Sequence, residues 1–392
     1  MYNYDIELSK DLEVRKAKLL EKIIGSDADA CIITTNVNLF YITGCIYTGY
    51  YYLSKGGKAY HFVKRKGNVL PDGAIMIRKP EQIADELNKL GENIPQKVLL
   101  ETDVVPYSEC SRIISSLGIK EVVGASSLMR NIRSLKTEFE IRQVRECARQ
   151  HEAVYKLIPL LFKRGMTDLE LQVEIEKQMR LHGSIGIFRS YGQNMDIHMG
   201  SLLVGDNAAI PSPFDYALGG KGISPSLPLG ASGIKIKEGQ TIMVDMAGNY
   251  RPWMTDMTRV FSVGKTSDLA YKAHQVSIDI HNAVQEIARP GVPCSALYEV
   301  SLKLAEKNGL QDYFMGTEQQ AKFVGHGVGL EINEPPVLTP RSKEELQSGI
   351  VFALEPKFVL PHIGAVGIEN TYLVNESGIE KLTVFEENII EL

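Results

Sequence analysis

Four acidic residues sit at the ends of four apolar, strand-like segments, and this placement constrains the chain more than any other feature. Gln240–Asp245 (QTIMVD) and Asp256–Val263 (DMTRVFSV) read as strands, with Gly248, Asn249, Arg251 and Pro252 supplying a turn between them. Pairing about residues 250 and 251 predicts Asp245 directly opposite Asp256, on one face, with Cβ atoms roughly 4.5–5.5 Å apart. Ile350–Glu355 (IVFALE) and Ile368–Val374 (IENTYLV) repeat the construction around a turn at Pro361, His362, Ile363 and Gly364. Pairing about residue 362 sets Glu355 opposite Glu369. Like charges so placed repel, and Glu355 follows Val351, Phe352, Ala353 and Leu354. A buried carboxylate without a partner is costly, so it must be neutralised, paired or bound to metal. Either acid pair alone could be a solvated hairpin edge. Two such hairpins in one chain argue for a cation.

Between the hairpins lies Phe323–Pro335 (FVGHGVGLEINEP). His326 is flanked by Gly325, Gly327 and Gly329, which permit close approach of another group. A glycine-flanked histidine by itself is more often structural. Joined to four carboxylates it makes a hard, oxygen-rich ligand set, suited to Mn²⁺, Fe²⁺, Co²⁺ or Zn²⁺ in a two-metal site.

The chain has 392 residues, enough for two or three domains. From about residue 12 to residue 117, short apolar segments (Asp29–Thr34, Ala59–Val63, Ala74–Ile77, Lys97–Leu100) alternate with helix-like stretches at Glu81–Leu90 and Ser108–Leu117. This alternation predicts an α/β domain. Leu39–Gly44 leads into an aromatic cluster at Tyr47, Tyr50, Tyr51 and Tyr52. A boundary falls near Arg130–Lys136. Thr137 with Glu140, and Thr167 with Glu170, carry capping-box spacing ahead of predicted helices to about Phe162 and His182. Asp268–Ala288 and Ser295–Lys307 predict two more helices. The remainder of this half reads as strands and Gly/Pro-rich loops.

A net charge of −5 gives no reason to expect nucleic acid or an anionic membrane as partner. No apolar run approaches the roughly 20 residues of a membrane span. Met1–Lys10 lacks a signal-peptide core. The five cysteines are scattered and form no CxxC pair, which fits reduced thiols in a cytoplasmic protein.

These segments resemble the pita-bread metallopeptidase family, which includes aminopeptidase P, prolidase and methionine aminopeptidase, and also the metal-free creatinase. VNLFYITG resembles the small creatinase-type N-terminal domain, and RSLKTEFEIRQVRECA the entry into the catalytic domain. VDMAGNYRPWMTDMTRVF, VGHGVGLEINEPP, FALEP and VGIENTYLV carry the acids and the histidine in the family's order. The resemblance implies a small α/β domain over residues 1–133 and a pita-bread catalytic domain over 134–392, an α/β (α+β) chain overall. It implies two divalent metal ions, manganese foremost, held by Asp245, Asp256, His326, Glu355 and Glu369. Asp245 would serve one metal, His326 and Glu355 the other, with Asp256 and Glu369 bridging. A water between the metals would be the nucleophile and Glu355 would take its proton. Thr258 and Asn370 would orient the ligands. A homodimer is also implied, with the tyrosine cluster as a contact surface or, alternatively, plain core.

The chain departs from the family at three places. Ser212 stands where relatives carry a histidine after NAAxP, and Asn333 where they carry one before Glu-x-Pro. Gly367 stands where aminopeptidase P and prolidase relatives often have an arginine. Serine and asparagine can donate hydrogen bonds but do not titrate near neutral pH. Ser212, Asn333 and His198 are therefore the candidate substrate-binding residues, with Arg189 as a further pocket residue and Ser212–Gly230 as a loop beside the site. The expected activity is hydrolysis of an Xaa-Pro bond in a small peptide. The competing expectations are a creatinase-like enzyme acting on a small non-peptide metabolite, as hydrolase or lyase, and a non-catalytic binder that keeps the fold.

Overall fold

The computed structural model describes residues 2–192 and 197–392. Two compact units divide the chain between Arg133 and Ser134. In the first, β1 (Ala30–Ile33), β2 (Thr48–Ser54), β3 (Ala59–Arg65), β4 (Ile75–Met76), β5 (Lys97–Leu100) and β6 (Glu121–Gly124) form one mixed sheet, in the order β4-β3-β2-β1-β5-β6. Leu39–Gly44 does not add a strand. It lies in the helix Asn36–Thr43, closed by Gly44 in the left-handed conformation. Tyr47, Tyr50, Tyr51 and Tyr52 are all buried in this unit, so the dimer-surface alternative gives way to core.

The second unit holds three pieces of sheet. The first contains β7 (Gly200–Val204), β8 (Thr241–Gly248), β9 (Thr255–Ser262) and a short parallel strand, Ile390–Glu391. The second contains β10 (Gly325–Gly327), β11 (Glu334–Val337), β12 (Val351–Leu354), Asn370–Val374 and Ile379–Lys381. The third is a hairpin of β13 (Lys357–Leu360) and β14 (Gly364–Gly367), which leads into β15 (Asn370–Val374). Capping boxes at Thr137/Glu140 and Thr167/Glu170 start the helices Glu138–Tyr155 and Asp168–Leu181. The first helix stops earlier than its apolar spacing predicts, and Ile158–Leu161 forms a separate turn with Pro159 near its start.

Strand alternation decides which way the acids face. Ile242, Val244 and Met246 pack into one apolar cluster with Val154 and Ile175 of those two helices. Met243 and Val260 pack into another, with Ala273 and Ile280 of the helix Asp268–Ile287. Asp245 shares the face of Met243, and Asp256 and Thr258 share that of Val260. The two clusters hold the sheet from both sides and leave the acids on one face of its inner strands.

Candidate metal centre

The first hairpin does not have the predicted register. Asp245 pairs with Thr258 and Asp256 with Ala247, so the two aspartates are diagonal neighbours rather than opposed. The loop is anchored by tertiary contacts that shift its centre. Trp253 is buried and its Nε1–H donates to Glu140 Oε1 at 2.9 Å, while the Met254 N–H donates to Gly329 O at 2.7 Å. A two-residue slip keeps both acids on one face, because side chains alternate with period two.

The second hairpin places its acids as its spacing predicts. The β12–β15 ladder ends at Leu354 opposite Asn370, and the β13–β14 ladder begins at Lys357 opposite Gly367. Glu355 and Glu369 lie between these ladders in the same register. The Glu369 backbone also bridges to Thr258, tying this hairpin to β9.

His326 enters from β10, opposite Ala353 of β12. Its neighbouring glycine has a steric role: a Cβ on Gly327 would stand 2.1 Å from Pro335 O on β11. The turn beyond is held by Glu334, whose Oε1 accepts the Leu330 N–H at 3.1 Å. Its Oε2 meets Lys136 Nζ at 2.8 Å in a fully buried ion pair.

The acids and the histidine form two groups of potential cation ligands: Asp256, His326 and Glu369, and Asp245, Glu355 and Glu369. Within each, one ligand atom per residue lies within 4.8 Å of the others. His326 Nε2 is 3.4 Å from Glu355 Oε1 and 3.9 Å from Asp256 Oδ2. Thr258 Oγ1 donates to Glu369 Oε2 at 2.7 Å, the ligand-orienting contact expected of it. Asn370 does not touch a ligand side chain. It accepts from Arg259, which also donates to the Glu369 carbonyl at 2.9 Å and fixes that backbone from beneath.

The two groups differ in how they are filled. Lys357, a residue not singled out from the sequence, places its ammonium 2.8 Å from Asp245 Oδ2, 2.7 Å from Glu355 Oε2 and 3.4 Å from Glu369 Oε2. Its position carried a signal: it follows Glu355 by two, hence on the same strand face, inside an apolar run. Burial alone would depress the lysine, but the three carboxylates hold it well above its ordinary value. Burial likewise works to raise Glu355, yet Lys357 and then His326 bring it down to about 2.

The other group behaves oppositely. Burial, then the charges of Glu369, Asp245 and Glu355, push Asp256 well above the usual carboxylate range. Burial also lifts Glu369 to about 8. Glu369 Oε1 is buried and has no hydrogen-bond partner among the described residues. Repulsion that lifts both carboxyls, and an orphaned oxygen beside a histidine, fit a divalent cation at Asp256, His326 and Glu369.

These side chains line a cleft with Phe188, Leu218, Phe323, Ile332 and Asn333. Of the three expected substrate residues, only Asn333 lies there. Its side-chain amide is paired with the Tyr191 backbone, accepting at 2.7 Å and donating at 2.8 Å. Ser212 lines an adjoining pocket, because its loop turns back on itself: Ser212 Oγ accepts the Phe214 N–H at 3.0 Å. His198 is exposed and is not among the residues lining the cleft, nor is Arg189. No helix among the described residues is long and apolar enough to cross a membrane.

Known proteins resemble this chain over nearly its whole length. The model of Metallopeptidase family M24 matches residues 142–376, and that of the Creatinase/Prolidase N-terminal domain matches residues 15–135. The chain is 26% identical to an Xaa-Pro dipeptidase of Pyrococcus horikoshii over 384 residues, covering 95% of this chain and 97% of that one. In fold it resembles the prolidase of the same species, with a TM-score of 0.78, 21% identity, and 96% and 99% of the two chains covered. It also resembles an Xaa-Pro dipeptidase from Bacillus anthracis, with a TM-score of 0.79, 22% identity, and 97% and 100% covered. The chain belongs to metallopeptidase family M24, with a creatinase/prolidase N-terminal domain ahead of the metallopeptidase domain.

Proposed function

We propose that the protein is a metal-dependent peptidase that releases the residue before proline from small Xaa-Pro peptides. The observation that carries this reading is the triad of buried Asp256 and Glu369 with half-buried His326, and an unpartnered Glu369 oxygen, in an apolar-walled cleft. The relative named Xaa-Pro dipeptidase supports the choice of bond. A divalent cation bound there supplies Lewis acidity toward a carbonyl or water oxygen. The chain's own part is to hold that cation and the substrate. Thr258 orients Glu369, Arg259 fixes its backbone, and the Glu334–Lys136 pair sets the turn between His326 and Asn333. Phe188, Leu218, Phe323 and Ile332 offer an apolar surface to a prolyl ring. Manganese as the metal, a homodimer and a cytoplasmic location belong to the same proposal; five free cysteines fit the last.

The test is to load chelator-treated protein with Mn²⁺ and incubate it with Xaa-Pro dipeptides and Xaa-Pro-Xaa tripeptides, reading products by mass spectrometry. His326→Ala is the blank. Release of a free N-terminal residue by the wild type alone supports the proposal. One observation favours a second reading, action on a small non-peptide metabolite. Asn333 and Ser212, in place of the family's histidines, are engaged with the protein's own backbone. Turnover of a small amide with inertness to every peptide would select it.

A further inference from the structure

We propose that the Lys357 ammonium permanently replaces one of the two cations that this acid cluster would otherwise take, leaving a one-metal centre at Asp256, His326 and Glu369. The inference rests on the metal-dependent reading of the site and limits it to a single ion.

The position of Lys357 Nζ carries the argument. It touches Asp245, Glu355 and Glu369, and these are the whole of the second ligand group. An ion bound by those oxygens would sit about 2.0–2.2 Å from each. Nζ already stands 2.7 Å and 2.8 Å from two of them, so a metal there and Nζ would occupy the same volume. The side chain has no open route out, because Lys357 begins β13 and is fully buried. Its backbone is held opposite Gly367, where an added Cβ would meet Pro356 O at 2.5 Å. Swinging the ammonium aside would also leave a charge buried without a partner, which is strongly unfavourable.

The ammonium takes over one task of the missing ion and not the other. It relieves repulsion among Asp245, Glu355 and Glu369. An ammonium has three donors and no vacant coordination position, and all three point at carboxylates. It therefore cannot bind a substrate oxygen as a metal does. Among the described residues the first ligand group has no such occupant, since Asp256 and His326 make no hydrogen bond or ion pair with Lys357 and Glu369 Oε1 is unpartnered.

The experiment counts ions. Chelator-treated full-length protein is titrated with Co²⁺, and bound metal per chain is read by native mass spectrometry and elemental analysis. The wild type should saturate at one ion and Lys357→Ala at two. Anomalous scattering from a Co²⁺-soaked wild-type crystal should give one peak, bounded by Asp256, His326 and Glu369, and this measurement stands even if the variant does not fold. Two ions in the wild type, a peak among Asp245, Glu355 and Glu369, or one ion in a folded Lys357→Ala overturns the proposal. No bound ion in the wild type overturns it together with the metal-dependent reading. Counts of one and two without any Xaa-Pro cleavage would uphold the lysine assignment while sinking the peptidase reading.

Discussion

Lys136→Met should destabilise the Ser134–Leu392 unit by about 3 kcal/mol, through a side chain that touches neither acid hairpin. Lys136 Nζ and Glu334 Oε2 are 2.8 Å apart, and their side chains are 1% and 0% exposed. Removing one member of such a buried pair costs about 3–5 kcal/mol. The lower end applies because Glu334 keeps the Leu330 N–H at 3.1 Å and a longer contact to the Glu331 N–H. Lys136→Met with Glu334→Gln removes both charges and should recover most of the loss. Trp253 is the one tryptophan, is buried, and donates to Glu140, so its fluorescence reports this unit rather than the first. With an m-value near the upper end of about 1–3 kcal/mol/M in urea, the single variant's midpoint should fall by about 1 M. A single variant within about 1 kcal/mol of wild type, or a double variant no more stable than the single, would refute the reasoning.

Thr258→Val removes the hydroxyl that donates to Glu369 Oε2 at 2.7 Å, and should weaken Co²⁺ binding roughly 10- to 100-fold in calorimetric titration. Gly327→Ala pushes a methyl toward Pro335 O and should cost about 1–3 kcal/mol in the same urea assay, with slower metal-dependent turnover. His281 is buried, bonded to Tyr372 and the Ile368 carbonyl, and burial depresses it to about 3. Between its unfolded value of about 6.5 and about 3, only the unfolded state takes the proton, so its contribution to stability is lost as pH falls through that window. The wild type should therefore lose about 2 kcal/mol more than His281→Gln between pH 7 and pH 5, a difference that cancels the opposing titration of Glu369. Equal pH dependence of the two proteins would count against a neutral, buried His281.

Much of this site was legible because strands alternate and acids rarely occur inside apolar runs. Glu355 and Glu369 followed from a single turn centre at residue 362, since the β13–β14 hairpin preserves the register of the strands that flank it. Asp245 and Asp256 were assigned the correct face but the wrong partners. Their register depends on Trp253 and Met254 reaching Glu140 and Gly329, contacts remote in sequence. Period-two reasoning survives that error, because a slip of two residues conserves the face. Lys357 escaped notice because a lysine in a strand ordinarily reaches solvent; only the fold shows its ammonium turned inward onto three acids. Ser212 was singled out by motif position and His198 by its place on the segment before the Ser212–Gly230 loop; in the fold Ser212 lines the adjoining pocket and His198 is exposed. The tyrosine cluster could be surface or core from sequence, and the three-stranded core of β1–β3 settled it.

The most direct measurement follows Xaa-Pro cleavage as chelated protein receives Mn²⁺ in fractional equivalents, with bound metal counted in the same samples. A one-metal Xaa-Pro peptidase should gain activity linearly and reach its plateau at one ion per chain, while His326→Ala stays inactive. Activity that appears only with a second bound ion, or none with the first site filled, would contradict the account.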